Sequence, residues 1–370
     1  MRILHISKYY FPYIGGVESI CQYLVEGMPS HQMAVLCFND KCKDQIDIVN
    51  GIKIYRVATW INLAKQALSL SYFYMMHRAI KEFKPDIIHF HWANPFPAAI
   101  LLMMIPRDIR LVVHWHMDII NQTKIYKFIK PVETVLLQRA DLVIVTSPQY
   151  RDGSEPLQAF KNKVKIVPNA INEKRVQLLC DDEKQIKAVH EKYGGKKIVF
   201  FVGRHIQYKG LSYLINAEKY IKSDCVIIVA GKGPLTEKLK KQCHSNRVYF
   251  VGKLSEDELR WYYHASSVFA FPSITKNEAF GVALAEAMYC NVPAVTFFIS
   301  GSGVNWVNLN GVTGIEVPNR DIKAFAHAID ELLLNGMLAQ KYGKAAHKRV
   351  DENFLIKNML VEMERCYKTL

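Results

Sequence analysis

In the stretch Ile198-Val199-Phe200-Phe201-Val202-Gly203-Arg204-His205-Ile206-Gln207-Tyr208-Lys209-Gly210, an unbroken run of β-branched and aromatic residues ends at a glycine. Two cations follow within a short loop. Past Gly210 the apolar positions Leu211, Leu214 and Ile215 fall at helical spacing. Strand, polar loop and helix make up the unit from which parallel sheets with crossover helices are built.

The same unit recurs along the chain. In the second half, strand-like runs continue at Cys225-Gly231, Val248-Val251, Val268-Pro272, Ala294-Phe297 and Gly314-Val317. In the first half they fall at Arg2-Ser7, Met33-Phe38, Ile52-Val57, Ile87-Trp92, Leu111-His116, Leu142-Ser147 and Val164-Val167. The expected class is α/β, with two Rossmann-like, doubly wound parallel-sheet domains. A strand ends in the turn dipeptide Pro168-Asn169 and a charge-rich stretch follows, which places the first domain at 1–168 and the second at 169–352. Residues 353–370, with Phe354, Met359, Met363, Cys366 and Tyr367 at helical spacing, read as a helix that can cross back to the first domain.

At 370 residues, half of them apolar, the chain is long enough for more than one core. The net charge of +14 is shared: residues 1–170 hold 20 basic against 13 acidic side chains, which is half of it. An even spread argues against a nucleic-acid-binding tail. It suits anionic small molecules handled beside an anionic membrane surface, or simply a soluble basic surface. The longest apolar run, Ala98 to Ile105, is far short of the roughly 20 residues a membrane span needs. The opening Met1-Arg2-Ile3-Leu4-His5 does not read as a signal peptide, so a cytoplasmic location is expected. Eight scattered cysteines lack paired zinc spacing and read as reduced thiols.

Several loops at strand ends carry residues suited to chemistry. Gly15-Gly16 precedes a helix pattern, where backbone amides can meet an anion or simply form a tight turn. Arg204 and Lys209 offer a guanidinium fork and a point charge, a match for a diphosphate at the carboxyl edge of an open sheet. Gly231 and Gly233 flank Lys232 after another strand and would let a nucleotide approach, although the motif alone is mostly a turn. Glu278 precedes Ala279, Phe280 and Gly281 at a helix start, where its carboxylate can take sugar hydroxyls while the amides face phosphate. Glu286 lies in an apolar helical run, a costly position unless something donates to it. His89, His91, His114 and His116 end two strands with a period of two. They read as cleft-lining histidines rather than a metal set, because no ligand spacing accompanies them.

Together these motifs resemble glycosyltransferase family 4 across nearly the whole chain. The resemblance implies the GT-B fold, two domains facing across a cleft, a nucleotide diphosphate sugar as donor, retention of anomeric configuration and no metal or other cofactor. It also assigns Arg204 and Lys209 to the donor diphosphate, Glu286 to the ribose hydroxyls and Glu278 to the transferred sugar. Gly16 would offer its amide to donor or acceptor, and His116 would touch the donor sugar. Asn291 stands where the family usually has glycine. The segments Thr296-Asn305 and Gly314-Pro318 are similar to bacterial capsule and O-antigen enzymes, which implies a glycan acceptor carried on a lipid, with mannose from GDP as the donor to try first. The basic, amphipathic Lys124-Lys130 would then lie on an anionic bilayer, unless it is an ordinary surface helix. A nucleotide-sugar epimerase or phosphorylase of the same architecture, and a catalytically silent scaffold subunit, are the alternatives.

Overall fold

The computed structural model describes residues 1–13, 15–63, 66–119 and 123–370, and the side chains of these except 62, 63, 66 and 123–125. The chain divides into two compact units. The first is Met1–Pro168 with Met359–Leu370, and the second is Asn169–Asn358.

The first unit holds β1 (Arg2–Ile6), β2 (Gln32–Phe38), β3 (Gln45–Val49), β4 (Ile52–Val57), the short hairpin β5 (Ile61–Leu63) and β6 (Gln66–Leu68), then β7 (Ile87–Trp92), β8 (Arg110–Trp115), β9 (Leu142–Val145) and β10 (Val164–Ile166). Its main sheet runs β10-β9-β8-β7-β1-β2-β4-β3. All neighbours are parallel except β3, which pairs antiparallel with β4 at the edge. The apolar strands β7, β8 and β9 are buried nearly throughout because helices cover both faces, the usual condition of a parallel sheet. β3, β5 and β6 escape the sequence reading. β3 is half polar and only partly buried, so it carries no continuous apolar run.

The second unit holds β11 (Lys197–Val202), β12 (Cys225–Ala230), β13 (Val248–Gly252), β14 (Val268–Phe271), β15 (Ala294–Phe297) and β16 (Gly314–Val317). They form one parallel sheet in the order β13-β12-β11-β14-β15-β16. From β11 the chain winds outward first one way, to β12 and β13, and then the other, to β14, β15 and β16. The point of reversal lies between β11 and β14.

The last helix, Ile356–Lys368, joins the first unit from Met359 onward. Sequence reading ends the second domain at 352. In the structure the chain stays with the second unit through Asn358, because Ile171 N–H donates to Phe354 O and Ile171 pairs with Leu355. Beyond that point Met359, Met363 and Tyr367 bury one stripe of the helix. A Cβ at Gly27 would meet Leu360 Cδ1 at 2.5 Å, so the helix Gly16–Gly27 and the last helix pack closely there. His31 Nε2 lies 2.7 Å from Glu364 Oε2. Among the described residues no helix is long and apolar enough to cross a membrane.

Candidate active site

Where winding reverses in an open parallel sheet, the loops at the carboxyl ends of the two central strands part and leave room for a ligand. In the second unit these are the loops after β11 and β14, and they carry Arg204, Lys209 and Glu278. Tyr208 O accepts from Ile274 N–H at 2.9 Å, which ties the two loops together. Gly210 makes this closeness possible. Its φ is +62°, and a Cβ there would lie 1.9 Å from Pro272 O.

Lys209 Nζ forms an ion pair with Glu278 Oε2, both side chains being largely buried. Ser273 Oγ donates to the same carboxylate oxygen at 3.0 Å. Lys209 Nζ also lies 5.2 Å from the ring centre of Phe271, within cation–π range. Ser302 Oγ donates to the Glu278 carbonyl and so holds its backbone. Arg204 is exposed and forms no ion pair among the described residues. One cation is thus held by a carboxylate, and the other stands in solvent.

Glu286 lies on the helix Val282–Tyr289, buried as its apolar surroundings imply. Tyr263 Oη donates to its Oε2 at 2.9 Å, and Arg175 Nη1 lies 3.6 Å from Oε1. Burial raises the carboxyl above its ordinary range, while Arg175 and Tyr263 pull it back. Both partners were missed in the sequence, being far from Glu286 along the chain and in no motif with it.

The glycines after β12 let the loop after β11 come close. Gly231, at φ +105°, would place a Cβ 2.0 Å from Gly203 O, and Gly233 would place one 2.5 Å from His205 O. The space a Cβ would take at each belongs to the loop after β11. His205 is buried there with Nδ1 2.9 Å from Thr236 Oγ1. Ala279 and Phe280 are buried as well, and Phe280 packs edge-on against Phe354 with ring centres 5.2 Å apart. That side chain is core, which leaves only backbone at 279–281 to meet a ligand. Asn291 adopts the left-handed φ of +61° that glycine would otherwise supply.

In the first unit winding reverses between β1 and β7. After β1, Gly15 caps the helix Gly16–Gly27; Ile14, beside it, lies outside the described residues. A Cβ at Gly15 would meet Glu18 Oε2 at 2.2 Å, so the carboxylate of the first helical turn occupies that side. Beside Gly16 the space is open.

The strand-end histidines are packed against one another inside the first unit. His89, His91, His114 and His116 are 0%, 2%, 0% and 4% exposed, and His5 on β1, which sequence reading passed over, joins them at 0%. Register brings them together: His5 stands beside His89, and His91 beside His114. Their rings stack and hydrogen-bond to one another, and Tyr367 Oη lies 2.7 Å from His89 Nδ1. Burial holds His5 and His116 down at about 3 and the other three well below their ordinary value, so all five are neutral. Elsewhere in the first unit Glu133 accepts from Tyr126 Oη at 2.7 Å, and burial lifts its carboxyl to about 7.

Known proteins resemble the chain along its whole length. Residues 14–175 match the model for Glycosyltransferase Family 4, and residues 182–349 match Glycosyl transferases group 1. O-antigen chain mannosyltransferase C of Escherichia coli is 28% identical over 382 residues, covering 100% of this chain and 99% of that protein. D-rhamnosyltransferase WbpZ of Pseudomonas aeruginosa is 26% identical, covering 96% and 92%. Among solved structures, sucrose-phosphate synthase from Thermosynechococcus elongatus superposes with a TM-score of 0.81 at 20% identity, covering 100% of this chain and 98% of that one. Anabaena HepE in complex with UDP and glucose gives 0.79 at 19%, covering both chains fully. At such identities the structural likeness shows the fold, which is GT-B.

Proposed function

The chain belongs to the glycosyltransferases, with a family 4 amino-terminal part and a group 1 carboxy-terminal part, and from that membership we propose a retaining, metal-independent hexosyltransferase of surface polysaccharide assembly. The donor is a nucleotide diphosphate sugar, GDP-mannose in the first instance. The acceptor is a glycan carried on a lipid at the cytoplasmic face of the membrane. The relatives named for O-antigen mannosyl and D-rhamnosyl transfer, which span the chain, support this choice. On the helix Thr123–Arg139, Lys127, Phe128 and Lys130 are exposed while Ile129 is buried, a mixture suited to an anionic bilayer.

The observation that carries the reading is the Lys209–Glu278 pair at the winding reversal of the second sheet, with Arg204 exposed in the same loop. Without donor, Glu278 holds the ammonium in place. A diphosphate competes for Lys209 and takes Arg204 as its second cation, which frees a Glu278 oxygen for sugar hydroxyls. As the bond from sugar to phosphate breaks, negative charge grows on the leaving diphosphate. Lys209 and Arg204 stabilise it there and take the part a divalent ion plays elsewhere. The acceptor hydroxyl attacks from the leaving-group side and passes its proton to the departing phosphate oxygen, so configuration is retained. Glu286, beside Tyr263 and Arg175, takes the ribose hydroxyls. Gly16 and His116 of the first unit contribute an open backbone amide and an imidazole.

The test is thermal unfolding of the full chain against a panel of UDP- and GDP-sugars, each with and without EDTA. Donor at 100 times its dissociation constant adds about 2.7 kcal/mol of stability. A shift with GDP-mannose that persists in EDTA is the expected result. No shift with any nucleotide sugar would sink the donor-site reading, and a shift abolished by EDTA would sink metal independence.

A further inference from the structure

The five imidazoles at the carboxyl ends of β1, β7 and β8 resolve into two hydrogen-bonded strings. In the first, His5 Nδ1 lies 3.2 Å from His91 Nε2, and His91 Nδ1 lies 2.9 Å from His116 Nε2. In the second, Tyr367 Oη meets His89 Nδ1 and His89 Nε2 lies 3.2 Å from His114 Nδ1. The strings stack on each other, with His5 over His89 at 4.6 Å and His116 over His114 at 4.2 Å between ring centres.

Two clusters here, His89 with His91 and His114, and His5 with Cys21 and His91, bring potential metal-ligand atoms within 4.8 Å of one another. The ring geometry favours hydrogen bonds instead. The centres of His91 and His116 are 5.2 Å apart with planes 6° apart, and those of His5 and His91 are 5.5 Å apart. Each separation exceeds the matching N···N distance by two centre-to-nitrogen radii. The nitrogens therefore face each other along the line of centres, as in an N–H···N bond, and their lone pairs do not converge on a common point.

A neutral imidazole has one N–H and one bare nitrogen, so a string of neutral rings must donate in a single direction. The two directions differ at His5, whose Nε2 is buried with no partner among the described residues. Donation away from His5 leaves that atom a bare acceptor. Donation toward it leaves a buried N–H with nothing to accept it, the rarer and costlier defect. Cys21 Sγ lies within 4.8 Å of a His5 ring nitrogen, and burial keeps its thiol protonated, so it adds a weak donor and no anion. The second string gives no such answer: it has a hydroxyl at one end and an unpartnered His114 Nε2 at the other, so either direction strands a proton.

We infer that the first string runs His5 to His91 to His116 and locks His116 in its Nδ1–H tautomer, with His91 and His5 as positioning residues. All three then carry their proton on Nδ1, the form free histidine disfavours. His116 Nδ1 has no partner among the described residues and, unlike His5 Nε2, is not among the solvent-inaccessible unpartnered atoms, so a proton there can meet water or a ligand and the string ends in a fixed hydrogen-bond donor. The inference deepens the proposed role of His116 toward the transferred sugar and rests on it: a locked N–H demands an acceptor oxygen, and a bare nitrogen would demand a hydroxyl proton.

The tautomers are read directly from long-range proton–nitrogen correlation spectra of the full chain labelled with 15N-histidine, at pH 7.5, with His116 assigned from its loss in His116→Gln. Protonated Nδ1 and bare Nε2 on His5, His91 and His116 are expected. A proton on Nε2 of any of the three overturns the direction, two protons on one ring overturn its neutrality, and added Zn²⁺ that displaces the shared protons replaces the string with a metal site. In His91→Phe, His116 returns toward the Nε2–H form and kcat drops on the order of tenfold, one hydrogen bond's worth. His91→Asn, whose amide N–H stands close to the lost Nδ1–H, restores both. His116 keeping Nδ1–H in His91→Phe overturns the proposal, and if that variant does not fold the wild-type spectrum decides alone. Expected tautomers together with full turnover in His116→Gln would leave the string standing and remove the sugar contact.

Discussion

Both sheets put polar side chains at the same topological address, the carboxyl ends of the strands where winding reverses, but they stabilise them in opposite ways. In the second unit Lys209 and Glu278 stay charged and cancel each other in a largely buried pair. In the first unit five histidines are deprived of charge altogether and share protons. A charged pair can be pulled apart by a ligand that offers a better counter-charge. A neutral string cannot attract a diphosphate, but it can hold one donor in a fixed orientation. The difference is one between binding charge and setting direction, and each half can be tested separately.

The largest effects are expected on the charged side. Lys209→Ala removes a cation from the leaving group and leaves Glu278 without its counter-charge. Turnover falls on the order of 10²- to 10³-fold, and stability falls by about 3 kcal/mol, the scale for breaking a buried pair. Arg204→Ala, in the same loop but exposed, loses turnover on the order of 10²-fold while stability stays within about 0.5 kcal/mol. Adding Glu278→Gln to Lys209→Ala recovers stability but not turnover. Steady-state rates and urea unfolding of the three proteins decide. Equal stability losses in the two single variants would show that the ion pair contributes nothing to the fold.

These residues also mark how far the sequence could be read. Arg204, Lys209 and Glu278 follow continuous apolar strands, so their place at a sheet's carboxyl edge was legible from local pattern alone. Their partners were not. Arg175 and Tyr263 reach Glu286 from other turns and helices, and Ser302 reaches the Glu278 backbone from beyond β15. His5 was invisible for the same reason: it joins His89 only through the register of β1 against β7, a consequence of strand order that no periodicity encodes. Glycines carried a packing role that the sequence did not show. Gly231 and Gly233 looked like room for a ligand, and the side a Cβ would take is filled by a neighbouring loop. The antiparallel β3 was lost because an edge strand with polar residues has too little buried surface to impose a pattern.

On the neutral side the expected effect is a pH dependence. A histidine whose folded pKa lies below its unfolded value binds fewer protons in the folded state, so its contribution is complete above pH 6.5 and is lost as pH falls toward about 3. Each contributes up to about 1.4 kcal/mol per pH unit within that window. Glu133, raised to about 7, and Glu18, raised by burial, act in the opposite sense, since their stabilisation is lost as pH rises. In the second unit His205 and His264 side with the cluster, while Glu286 and Glu316 oppose it. Five histidines outweigh two glutamates in the first unit, and the second unit has two groups acting each way. Urea unfolding at pH 7.5, 6.5 and 5.5 should therefore show stability falling with acid, by up to about 4 kcal/mol per unit at the steepest. A flat profile would mean that the histidines are not held neutral.

The smallest effect is expected where the neutral cluster meets the last helix. Tyr367 is 1% exposed and its hydroxyl bonds His89 Nδ1 at 2.7 Å. Tyr367→Phe keeps the ring, its edge-on contacts with His89 and His31, and the buried stripe formed with Met359 and Met363. It removes one neutral hydrogen bond, so unfolding should cost about 1 kcal/mol less. The urea midpoint should move with the denaturant slope unchanged, because the surface buried by the helix stays the same. A loss near 3 kcal/mol would mean that His89 is left with a stranded donor, which fixes the second string as running from His114 toward Tyr367. A slope change would instead show that the hydroxyl, and not the apolar stripe, keeps the helix on the first unit.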